Sequence, residues 1–145
     1  MSIETIVLKA HSGWAYLLLI VLTIATINSL IGYFGKKEFG NKDFSLALVG
    51  LIVTHIQLLL GIALYVTPSN LARWDVEGAM GIPAVRLLIL EHPLMMIIAV
   101  ALLTIGYSKH KKKRVSQGKF KMLAIFYSLA LIVVLSRLPW TQWLA

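Results

Sequence analysis

The chain has 145 residues, 59% apolar and 14% charged, with a formal net charge of +8. Soluble domains run near 45–50% apolar and about 25% charged, so this balance argues against a soluble fold and for a membrane protein. Cysteine is absent, which removes disulfides, thiolate metal sites and cysteine catalysis together. In so apolar a chain the basic excess marks the cytoplasmic loops of a membrane protein, and no nucleic-acid partner is expected.

Taken in chain order, Trp14–Gly35 and Phe44–Pro68 contain no Asp, Glu, Lys or Arg, and Leu87–Ser108 contains only Glu91. A fourth apolar stretch runs from Met122 to Leu138. About 20 helical residues cross the hydrocarbon of a bilayer, so the segments predict spanning helices over 4–35, 43–67, 83–109 and 119–138, within one domain covering 1–145. The expected fold is all-α, an integral membrane four-helix bundle with up-down-up-down order. No basic cluster precedes the first segment and no small-x-small site follows a short apolar core, so it reads as a span and not as a cleaved signal peptide.

Ten of the fourteen basic residues fall in the loops around Lys36–Lys42 and Lys109–Lys121, and Lys9, Arg73, Arg86 and Arg137 fall on the other side. The positive-inside rule then puts both termini and the Thr67–Arg86 loop outside. The Lys109–Lys121 run sets topology and touches anionic lipid. His110 lies within that run and reads as a solvated loop residue. A short repeat, Ile31-Gly32-Tyr33 and Ile105-Gly106-Tyr107, suggests two hairpins of similar plan.

Ionisable groups inside spans need a reason, which singles out His11, His55, His92, Glu91 and Arg137. Counted from Tyr65 and Pro83, His55 and His92 lie about 14–15 Å deep and level with each other, at 1.5 Å per residue. His11 lies on the first helix, which an up-down order sets diagonally across from the third, making it the rival partner for His92. Pro93 removes a backbone donor and frees the Ile89 carbonyl, a kink that can aim the His92 imidazole. Glu91 can pair with Arg86 or Arg137, or accept from an imidazole N–H. Paired histidines from facing helices are a way for a bundle to hold haem iron, and Arg86 and Arg137 are candidates to hold its propionates.

His11-Ser-Gly-Trp14, Thr54-His-Ile-Gln-Leu-Leu-Leu-Gly61, Glu91-His-Pro-Leu-Met-Met96 and Thr104-Ile-Gly-Tyr-Ser-Lys109 together resemble a family of short bacterial four-helix membrane proteins labelled cytochrome b. The resemblance covers nearly the whole chain. It implies a haem b protein of the bacterial cytoplasmic membrane and puts functional weight on His11, His55 and His92. Tyr107 stands where that family often has a histidine, which speaks against a second haem near the inner face.

The expected function is therefore a membrane electron carrier with bis-histidine haem b, one haem or two, exchanging electrons with a quinone or a respiratory oxidoreductase. Six-coordinate iron of this kind has no open position, so an enzyme with its own substrate is not expected. The alternative is a membrane module for respiratory complex assembly or haem handling, its small-residue stripes suited to helix association and to an oligomer. A copper carrier using His92, Met95 and Met96 ranks third. No phosphate loop, Ser-His-Asp order or nucleotide fingerprint is present.

Overall fold

The computed structural model describes residues 1–144. Ala145, the last residue of the expected domain, lies outside the described residues. Among the described residues, four helices are long and apolar enough to cross a membrane: α1 (Ile3–Phe34), α2 (Asn41–Tyr65), α3 (Pro83–Lys112) and α4 (Ser116–Ser136). They form an antiparallel four-helix bundle in which α1 neighbours α2 and α4, and α3 neighbours α4 and α2. One end of the bundle carries both termini and the 66–82 connection, and the other carries the two short lysine-rich turns.

Local chemistry sets the helix ends. Ser2 Oγ accepts from the Thr5 N–H at 3.1 Å and so caps α1. Asp43 reaches back to the Gly40 N–H at 2.9 Å and anchors the start of α2. Pro83 stands at the first position of α3, where its missing N–H costs nothing. The 66–82 connection is built from short helical turns at Pro68–Leu71, Ala72–Asp75 and Ala79–Gly81.

The lipid-facing surface is lined with large apolar residues such as Ile20, Ile27, Leu59 and Ile132, while Leu22, Leu103, Leu123 and Tyr127 are buried inside. Tyr127 is completely buried and its hydroxyl donates to the Ala47 carbonyl at 2.6 Å, tying α4 to α2 across the diagonal of the bundle. Three other buried hydroxyls return to their own helix: Thr26 donates to Leu22, Ser29 to Ala25 and Thr54 to Gly50, which satisfies them where no water is available.

The two glycines of the sequence repeat share a role. A Cβ on Gly32 would lie 2.3 Å from the Phe120 ring, and one on Gly106 would lie 2.3 Å from Phe126 Cβ. Each glycine lets a phenylalanine of α4 approach the neighbouring backbone, the small-residue packing that membrane bundles favour.

His110 corrects the sequence reading. It is fully buried, not solvated, because α3 continues to Lys112 and the rings of Phe39, Phe44 and Tyr107 close around it. Its Nδ1 donates to the Tyr107 carbonyl at 2.5 Å.

Candidate functional site

Pro93 shapes the part of α3 that carries the site. A proline there has no N–H to offer the helix, and the preceding turn, Leu87–Glu91, widens into a π-helix in which the His92 N–H reaches back to Leu87. The Ile89 carbonyl instead accepts the Tyr65 hydroxyl at 2.7 Å, and Tyr65 accepts in turn from the Trp74 indole at 2.8 Å. Through that chain the 66–82 connection is fastened to the turn beside His92.

His11 and His92 meet across the diagonal, from α1 and α3. Their ring centroids are 6.3 Å apart and their planes are inclined by 81°. The Nδ1 of His92 lies 2.8 Å from the Arg137 carbonyl. A carbonyl only accepts, so Nδ1 carries the proton and, in the neutral ring, Nε2 keeps its lone pair. His11 is positioned by its backbone, whose carbonyl accepts from the Gln57 side chain at 2.8 Å. Its ring lies against Gly61, where a Cβ would stand 3.2 Å from His11 Cε1. The Nδ1 of His11 and Oε1 of Gln57 are buried with no hydrogen-bond partner among the described residues, an expensive state for polar atoms.

Both histidines line a cavity of about 710 Å³ between the four helices at the terminal end. That volume falls within the roughly 300–1,000 Å³ usual for sites of small molecules and cofactors. Its deeper wall is apolar, with Leu18, Met96, Ala99, Val100 and Val134. Nearer the connection it is lined by Tyr65, Asn70, Arg73, Trp74 and Gln142.

The other expected site residues lie elsewhere. His55 is not on the cavity: its Nδ1 bonds the Leu51 carbonyl of its own helix at 2.8 Å, and Nε2 lies 3.4 Å from Thr104 Oγ1. His55 and His92 are not level. Tyr65 meets Ile89, well inside Pro83, so the two helix ends used as origins for the depth count are offset by about 9 Å at the standard rise. Arg86 and Arg137 converge on Glu91, Arg86 Nε at 2.6 Å and Arg137 Nε at 3.6 Å. Neither arginine lines the cavity. Met96 lines it, whereas Met95 does not.

Gln57, Tyr65, Arg73 and Trp74 line the cavity without being among the site residues expected from the sequence. Gln57 carried a usable signal, an amide inside an apolar span. Arg73 and Trp74 carried none, since a loop charge and an interfacial tryptophan are ordinary features until the chain folds back.

Compared with family models, with curated proteins and with solved structures, the chain matches none of them. Geometry alone therefore bears on what the cavity holds. No group of three or more His, Cys, Asp or Glu side chains comes together among the described residues. A metal at this site would have two imidazoles and would need its remaining ligands from elsewhere, as a macrocycle supplies them. The spacing of the two rings meets that case. With metal–imidazole bonds of about 2 Å, a metal between two rings sets their centroids roughly 6 Å apart, the spacing seen at His11 and His92.

Proposed function

We propose that the protein is a membrane cytochrome of the bacterial cytoplasmic membrane that carries electrons on one haem b, with His11 and His92 as the iron ligands. The observation that carries this reading is the pair of imidazoles whose centroids lie 6.3 Å apart in the lining of a cavity of about 710 Å³ with an apolar deeper wall. When bound, haem supplies a one-electron iron couple whose potential follows its axial ligands and surroundings.

The chain's own residues prepare that site. The Arg137 carbonyl fixes the His92 tautomer and ring direction and increases the basicity of Nε2. Gln57 holds the α1 backbone at His11, and Gly61 leaves room for the ring. Leu18, Met96, Ala99 and Val100 keep water from the deeper wall, which strengthens electrostatic effects inside. With both histidines engaged, no coordination position remains for a substrate, so the role is to carry electrons. The donor or acceptor is a quinone or a membrane oxidoreductase reached from the terminal end.

The test is optical. Protein purified in detergent and titrated with haemin is expected to give a six-coordinate haem b spectrum on reduction with dithionite. His11→Ala and His92→Ala should each abolish that spectrum or lower haemin affinity at least tenfold, while His55→Ala keeps it. Absence of any haemin complex in the wild-type protein rejects the reading, and metal analysis that finds copper in its place supports the copper carrier.

A further inference from the structure

We propose that Arg73 is the anion-binding residue of the cavity, so that its ligand is amphipathic and enters with a carboxylate edge toward the 66–82 connection. The inference rests on the haem reading and adds to it the group that orients the ligand.

Among the described residues, Arg73 is the one formally charged side chain lining the cavity, and no carboxylate lines it. Among the described residues its guanidinium makes no ion pair, although Asp75 and Glu77 are close in sequence. It is held in place through Nη1, which donates to Asn70 Oδ1, and Asn70 Nδ2 donates in turn to Thr67 Oγ1 at 2.7 Å. Arg86 and Arg137 cannot play this part without giving up Glu91. The cavity thus has a positive, polar wall at one end and an apolar wall at the other. A planar ring system with carboxylates on one edge matches both, and the planar guanidinium suits bidentate binding of a carboxylate.

The experiment compares haemin with its dimethyl ester, which keeps the ring and iron but has no carboxylate charge. Each is titrated into wild-type protein, Arg73→Gln, Arg73→Lys, Arg86→Gln and Arg137→Gln in detergent, and affinity is read from absorbance. Wild type should bind haemin about tenfold or more tightly than the ester, the scale of one charge-assisted hydrogen bond. Arg73→Gln should lose that preference while its ester affinity stays unchanged, which also shows that the variant is folded. Arg73→Lys should keep part of the preference, and Arg86→Gln and Arg137→Gln should keep all of it.

Equal binding of haemin and ester by wild type overturns the inference, as does a preference that survives in Arg73→Gln or vanishes in Arg86→Gln or Arg137→Gln. In all three cases binding of the ester leaves the haem reading standing. If neither compound binds wild type, the haem reading fails and takes this one with it.

Discussion

His55 and His92 both give Nδ1–H to a backbone carbonyl, yet the carbonyls belong to different parts of the molecule. His55 bonds Leu51 on its own helix, and His92 bonds Arg137 beyond the end of α4. The first bond holds a ring against its own turn. The second fixes a ring between two elements, with Nε2 left in the neutral tautomer as a lone-pair donor. That difference is why His92, and not His55, is expected to matter for pigment. Tyr65 shows the same dependence on partners, since its single hydroxyl serves the Ile89 carbonyl and receives the Trp74 indole. Tyr65→Phe should lower stability by about 1–2 kcal/mol, the cost of unsatisfied polar groups, measured by denaturant unfolding in detergent. Pro93→Ala restores an N–H that can serve Ile89. In that background Tyr65→Phe should cost less, and a double-mutant cycle with no coupling would refute the link between the two residues.

At the level of helices, the lengths, the apolar faces and the breaks at Pro83 and Pro139 follow from composition and spacing. The observed spans differ from the expected ones mainly at the lysine-rich end, where α3 runs on to Lys112 and α4 starts at Ser116. Helix contacts are less legible, because a glycine in a span reads the same whether it faces lipid or a neighbour. Gly106 faces Phe126 Cβ, whereas an added Cβ on Gly13 would meet nothing within 4 Å. Gly106→Ala should therefore push α3 and α4 apart and destabilise by about 1–3 kcal/mol, the usual range for overpacking. Gly13→Ala should be neutral or slightly stabilising, since it relieves only the backbone freedom of glycine. Thermal unfolding of the two variants side by side checks the contrast.

For the molecule as a whole, the chain's orientation in the bilayer is a separate expectation, set by ten basic residues at one end against four at the other. Because the chain has no cysteine, single cysteines report it cleanly. Thr141→Cys should react with an impermeant maleimide on intact cells, and Arg114→Cys only after permeabilisation; the reverse pattern would invert the topology. Membrane character, four spans and the bundle order were written in the sequence, since they depend on local hydropathy and on the short connections at 35–40 and 113–115. His11, His55 and His92 were visible as polar residues in apolar spans for the same reason. Which histidines meet was decided only by the tertiary structure. Tyr65 fastens to Ile89, six residues inside Pro83, and that offset moves His55 away from His92, while His11 of α1 meets it. The place of Arg73 was decided in the same way, by a connection that folds back over the cavity through contacts distant in sequence.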